Sequence, residues 1–139
     1  MNVEINWLAV VLAAASSMVV GSIWYAKAVF GKTWQKLVGM DDKKMKSGAG
    51  PAMGMAVVAS FITAYILAHV AFLSHNFFNH SFLQDSVMTA FWLWLGISAT
   101  TIIVHDAFEQ RPSQLTLMNI GNQFATLMVM GIIIGYLKP

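Results

Sequence analysis

The densest run of chemically capable side chains is His105-Asp106-Ala107-Phe108-Glu109-Gln110-Arg111-Pro112. His105 and Glu109 stand four residues apart, so on a helix an imidazole and a carboxylate share a face, as a general acid/base pair requires. The same residues form part of a metal-ligand set, but two carboxylates beside one histidine do not complete a recognised pattern. Ion pairing is the simpler reading. Carboxylates near the C-terminal end of a helix oppose its dipole, and pairing Asp106 or Glu109 with Arg111 and the lysines of the first loop offsets that cost.

A second group is polar but uncharged. Asn119, Asn122, Gln123 and Thr126 follow the spacing i, i+3, i+4, i+7, which is one face of a helix. Ser98, Thr101 and His105 share a face of the preceding helix, and Ser17, Gly21 and Tyr25 share one on the first. Convergence of these faces makes a candidate polar interior of Ser98, Thr101, His105, Asn119, Asn122 and Gln123, closed by an ion-pair cluster of Asp106, Glu109 and Arg111. Such an interior is either a binding pocket or solute pathway, or a set of interhelical hydrogen bonds worth about 0.6 kcal/mol each. The sequence favours the bonds, because amides and hydroxyls are easily satisfied and no charge lies at mid-membrane.

The remaining candidates are weaker. His75 and His80 can bind a metal only with ligands that the spacing does not supply, and His69 reads as a packed neutral imidazole. Gly96-Ile97-Ser98-Ala99-Thr100 lacks the last glycine of a nucleophile elbow. There is no cysteine, hence no disulfide or thiolate chemistry, and no phosphate loop. No residue is assigned a catalytic, cofactor-binding or metal-ligating role, and no cofactor is expected.

The elements that must position these residues follow from the hydropathy. Of 139 residues 58% are hydrophobic and 10% charged, with mean hydropathy +0.65, where a soluble domain carries about 25% charged residues. Charge-free runs extend from Ile5 to Ala26, Ser47 to Gln84, Ser86 to His105 and Pro112 to Leu137, each long enough for the roughly 20 residues a spanning helix needs. The fold class is therefore all-α: one integral membrane four-helix bundle over residues 1–139, with spans near 5–28, 52–73, 86–104 and 115–137 and short loops. The front end carries Glu4 and neither Lys nor Arg, so the first run reads as a retained helix and not as a signal peptide.

Between the first two spans Phe30, Trp34, Leu37 and Val38 fall at near-helical spacing among lysines, which predicts an interfacial helix ending at Gly39. Asp41 is placed to cap a further turn, and Ser47 to Pro51 reads as a flexible break. Ser74 to Gln84 reads as a loop whose Phe77, Phe78 and Phe82 dip into the interface; its Asn79-His80-Ser81 has the form of a glycosylation site and is expected to be unused. Gly131 and Gly135 have the Gly-x-x-x-Gly spacing, suited to a dimer contact or to one within the chain. The ten methionines read as core filler. Nearly all Lys and Arg lie in the first and third loops, which places those loops in the cytoplasm and both termini outside. A net charge of +2 gives no footing for nucleic acid, and no internal repeat is supported.

Several segments resemble one family. They are Asn6-Trp7-Leu8-Ala9-Val10, Gly21 with Trp24-Tyr25, Phe30-Gly31-Lys32 with Trp34, Phe108-Glu109 with Arg111-Pro112, and Asn119 with Gly121. Together they resemble the bacterial membrane proteins catalogued as domain of unknown function 1761. Members typically read Trp-Tyr-Ser-Pro after the first helix, whereas this chain has Trp24-Tyr25-Ala26-Lys27. The resemblance implies a compact four-helix membrane fold in the cytoplasmic (inner) membrane and supplies no reaction, ligand or partner.

The expectation is a non-enzymatic membrane module, partnered by lipid and working as a homo-oligomer or with another membrane protein through its cytoplasmic loops. The alternative is a small homodimeric transporter or channel with a polar pathway along the third and fourth spans. A lipid-directed enzyme using His105, Asp106 and Glu109 comes third. A cavity lined by the last span's amides favours the pathway, and dry amides bonded to one another favour the scaffold.

Overall fold

The computed structural model describes residues 3–139; the Met1–Asn2 part of the front end lies outside it. Among the described residues four helical stretches are long and apolar enough to cross a membrane, as expected. This is a multi-pass all-α membrane protein.

The first span, α1, covers Trp7–Trp24 and is capped by Asn6, whose side chain accepts from the Ala9 amide at 3.1 Å. It ends at Trp24, short of the expected Ala28. Beyond it the chain coils into tight turns, with the Phe30 amide on the Trp24 carbonyl and the Gly31 amide on the Ala26 carbonyl. Glycine is required at residue 31, because a Cβ there would lie 2.2 Å from the Tyr25 carbonyl oxygen. The short helix α2, Gly31–Val38, follows and ends on Gly39 at φ 67. Its Trp34 meets Tyr25 edge-on at 5.4 Å, which keeps the helix beside the end of α1 as the interfacial segment that its spacing predicts.

Helix α3 runs from Asp42 to Phe78 without interruption. Asp41 caps it, accepting from the Lys44 amide at 2.7 Å. The expected break at Ser47 to Pro51 is absent, and Pro51 sits inside the helix. An interior proline costs about 3 kcal/mol in a helix, largely through the carbonyl it orphans and the ring it forces against that carbonyl. Here the orphaned carbonyl belongs to Ser47, in an exposed stretch where water can take it.

The expected loop Ser74 to Gln84 shrinks to Asn79-His80-Ser81. Asn79 takes the left-handed conformation, φ 56, that closes a helix C-terminus, and the Ser81 hydroxyl accepts from the Gln84 amide at 3.2 Å to open the next. Capping at both ends leaves no room for a longer loop. Phe82 is consequently buried in the bundle, while Phe77 and Phe78 are exposed.

The third span is one rod in three pieces: α4 (Phe82–Leu93), a π-helical turn (Trp94–Ala99) and α5 (Thr100–Phe108). It therefore begins earlier and ends later than residues 86–104. The fourth span, α6, is Ser113–Leu137. The spans form a ring in which α6 packs on α1 and α4, and α3 completes the circuit against both. The core is built mainly of small and branched residues, among them Ala9, Val10 and Ala13 of α1, Ala64 and Leu67 of α3, Ala90 of α4, and Leu127 and Ile134 of α6, with Met130 of α6 between them. Gly131 and Gly135 are used here. A Cβ on Gly131 would lie 2.8 Å from that of Ala90, and one on Gly135 would lie 2.7 Å from the Leu83 Cα, so this pair seats α4 against α6 within the chain. At one end Asn6 Nδ2 donates to the carbonyls of Leu137 and Lys138 at 3.1 and 2.8 Å. The basic segment and the α5–α6 turn lie at the other.

A candidate binding cleft between α1, α3 and α6

Helix α3 is not buried along its whole length. Its buried residues, Ala64, Leu67, Ala68 and Ala71, all fall in the second half. The start of α3 is tied back through Lys27 and Asp42, and at mid-length α3 meets α1 through the pair Ser17 and Ser60, whose hydroxyls stand 2.7 Å apart. Beyond it, toward the basic end, lies a cleft of about 490 Å³ bounded by α1, α3 and α6. From α1 come Ser17, Met18, Gly21 and Ser22, with Tyr25 at its end; from α3, Met53, Ala56, Ala59, Ser60 and Thr63; from α6, Asn122, Gln123, Thr126 and Met130. Among the described residues no charged side chain lines it.

The wall is polar in places, and part of that polarity is committed. Tyr25 Oη donates to Asn119 Oδ1 at 3.2 Å, and the Ser22 hydroxyl donates to the Met18 carbonyl at 2.7 Å. Asn122 differs. It is 9% exposed, and its Nδ2 finds no hydrogen-bond acceptor among the described residues.

The face read on the last span thus turns toward α1 and α3: Asn122, Gln123 and Thr126 line the cleft, with Asn119 one turn away on Tyr25. Ser98, Thr101 and His105 are not part of it. Ser98 is half-buried, and Thr101 and His105 are exposed. The reason is the π turn, which admits one extra residue and rotates everything after it by about 100° relative to an unbroken α-helix. The residue that this rotation turns inward is Asp106, 7% exposed. Missing from the sequence reading was the α3 wall. Ala56, Ser60 and Thr63 are small or hydroxylated at i, i+4 and i+7, the same signal used for the other helices.

The ion-pair cluster does assemble. Arg111 donates from Nε to Glu109, lies 3.8 Å from Asp106 Oδ1, and also donates its backbone amide to the Asp106 carbonyl at 2.9 Å. Gln110, at φ 53, turns the chain between α5 and α6. Of the first-loop lysines expected to join the cluster, Lys27 instead pairs with Asp42 at 3.2 Å. Exposed as it is, His105 offers the carboxylates no enclosed site for proton transfer.

At the opposite end one carboxylate serves two histidines. Asp85, its side chain 3% exposed, holds His75 Nδ1 at 3.0 Å and His80 Nδ1 at 3.1 Å. The short three-residue loop brings Asp85 to them, a proximity hidden when residues 74–84 are read as an extended loop. Among the described residues no group of three His, Cys, Asp or Glu gathers as a metal site. His69 is half-buried, its ring 6.0 Å from that of Tyr65.

Comparison with known proteins finds no match among curated proteins and none among solved structures. A family model does match. Described as "Protein of unknown function (DUF1761)", it runs from residue 8 to residue 135, covering nearly all of the four spans with the cleft and the Arg111 turn, and this chain belongs to that family.

Proposed function

We propose that this chain is a non-enzymatic module of the bacterial cytoplasmic membrane that works by receiving a partner within the bilayer, in the cleft between α1, α3 and α6. The observation that carries the reading is Asn122: a buried amide donor without a protein acceptor, set in the wall of an open and uncharged cleft. Tyr25 and Asn119 end on one another, as do Ser17 and Ser60; Trp24 Nε1 and Ser86 Oγ, outside the cleft, are like Asn122 Nδ2 buried without a partner among the described residues. A buried donor left alone costs about 1–3 kcal/mol, a cost that an occupant with an acceptor relieves. The lysine-rich segment lies at the cleft's end of the bundle, so the cleft belongs to the cytoplasmic half and both termini lie outside. A lipid, a second copy or another membrane protein has the apolar surface that such a site admits.

A small transporter or channel is the second reading, favoured by the two α6 amides, Asn122 and Gln123, on the cleft wall. A continuous pathway would have to cross the packed half of the bundle, where Val10 and Leu67 are 0% and Met130 is 1% exposed.

The chain contains no cysteine, so single-cysteine labelling tests the receptive cleft directly. Ala59→Cys in proteoliposomes is expected to be alkylated by a lipophilic maleimide, and Gly21→Leu in the same chain to suppress the reaction by filling the cleft. Absence of alkylation, or alkylation indifferent to Gly21→Leu, refutes the reading.

A further inference from the structure

We infer that the cleft receives one acyl chain of an anionic phospholipid, whose phosphodiester rests on the lysines above the cleft's mouth. The inference rests on the receptive-cleft reading and names what is received. The lining does not choose a head by itself, since its amides and hydroxyls offer donors and acceptors alike and no charged side chain among the described residues joins them. Charge begins just above it.

Depth carries the argument. Helix α1, at 18 residues, is about 27 Å long at 1.5 Å per residue, close to the roughly 30 Å of a hydrocarbon core. Ser17 therefore lies near the middle of the membrane, and Ser60, hydrogen-bonded to it at 2.7 Å, lies there too. From Ser60 to Lys46 α3 climbs about 21 Å, and half of a bilayer with its headgroups is about 20–22 Å. Lys46 thus stands at the level of the lipid phosphates, while the cleft wall from Ser60 to Met53 occupies the acyl region of the same leaflet. Counting back from Met53 by three, four and three residues reaches Gly50, Lys46 and Lys43, so both lysines lie on the Met53 side of α3.

The cations at this level are not spent within the protein. Lys27 pairs with Asp42, Arg111 with Asp106 and Glu109, and Asp41 accepts from the Lys44 amide. Lys32, Lys36, Lys43, Lys44 and Lys46 are exposed, and none has a carboxylate within ion-pair distance among the described residues. Cations so placed attract an anionic head, whereas a zwitterionic head brings a cation of its own and gains less. Gln35 also donates to Asp42, at 2.9 Å, so one carboxylate ties the end of α1, α2 and the start of α3 and gathers the lysines of both helices over one mouth. Val29, Phe30 and Met40, exposed among them, are apolar contacts that a lipid surface accepts. Below, Met18, Met53 and Met130 are flexible enough to follow an irregular acyl chain. Met53, Ala56 and Ala59 are exposed on the α3 side, so the second chain of the lipid can stay in the bilayer.

The experiment uses the full chain in phosphatidylcholine nanodiscs, with two photoreactive probes in separate arms: phosphatidylglycerol and phosphatidylcholine, each carrying the same diazirine-tailed acyl chain. The phosphatidylglycerol probe is expected to label residues 56–63 or 21–22 about tenfold more than the phosphatidylcholine probe at low salt. That advantage is expected to vanish when Lys43→Gln and Lys46→Gln are combined, and to shrink in high salt. Gly21→Leu, at a position where a Cβ meets nothing within 4 Å, is expected to abolish cleft labelling by both probes. The lysine variant alters only exposed side chains, and an unchanged unfolding midpoint verifies its fold. Labelling spread along lipid-facing residues such as Val11, Ile62 and Leu117 overturns the inference, as does cross-linking of the cleft to a second copy. So does a lysine variant that loses both probes equally, because the lysines then shape the wall without selecting a head. If Ala59→Cys is alkylated and blocked by Gly21→Leu while the two probes label the cleft equally, the anionic head is wrong and the receptive cleft stands.

Discussion

Gly131→Ala separates two uses of the Gly-x-x-x-Gly pair. The new Cβ would lie 2.8 Å from the Ala90 Cβ and 3.1 Å from the Ser86 carbonyl oxygen, whereas carbon atoms settle at about 3.5–4.0 Å. Both obstacles sit on or next to the backbone of α4, so no side chain can swing away and the two helices must part by the better part of an ångström. Overpacking of this kind costs about 1–3 kcal/mol. The control is Gly54→Ala, where a Cβ meets nothing within 4 Å; on an exposed helical turn it is expected to be neutral or stabilising by about 0.5–1 kcal/mol. Reversible unfolding in mixed micelles, with the oligomeric state followed by light scattering, reads both. If Gly131→Ala leaves monomer stability unchanged while dissolving a dimer, the pair serves an interface between copies and the packing argument is refuted.

Two further outcomes follow from the polar ends of the bundle. Asp85→Asn removes the carboxylate shared by His75 and His80 and is expected to cost about 1–3 kcal/mol, read in the same unfolding assay; an unchanged midpoint means the histidines do not hold the α3–α4 corner. Arg111→Ala is expected to lower the midpoint more than Glu109→Gln, because it strips the partner from the buried Asp106 as well as from Glu109, whose side chain is 50% exposed. Equal effects would mean that the Asp106 contact, at 3.8 Å, adds nothing.

The spans were legible because hydrocarbon excludes charge, and charge is visible residue by residue. Their ends were less so. Asn79 and Ser81 cap two helices from positions two apart, and a stretch rich in Asn, Ser and His reads as a loop until the caps are paired with their helices. Pro51 misled in the same direction, since an interior proline disfavours a helix by about 3 kcal/mol without forbidding one, and here the orphaned Ser47 carbonyl lies in an exposed stretch. On the cleft, the α6 face of Asn122, Gln123 and Thr126 was readable from spacing alone, because α6 is unbroken from Ser113 to Leu137. The third span's face was not: spacing assumes a constant helical phase, and the π turn at Trp94–Ala99 changes it ahead of Thr101 and His105. That turn has no marker in residue type.

Helix α3, at 37 residues, is about 55 Å long at 1.5 Å per residue. The hydrocarbon slab is about 30 Å thick, and even a 40° tilt leaves the rod longer than the slab. The surplus has to stand in headgroups and water, and Lys43, Lys44 and Lys46 send it out at the basic end, a stiff mast where a loop would have been slack. One wall of the cleft is the foot of that mast. A thinner or thicker bilayer is expected to change the mast's lean, and with it the gap at its foot, so membrane thickness is itself an input to the width of the cleft.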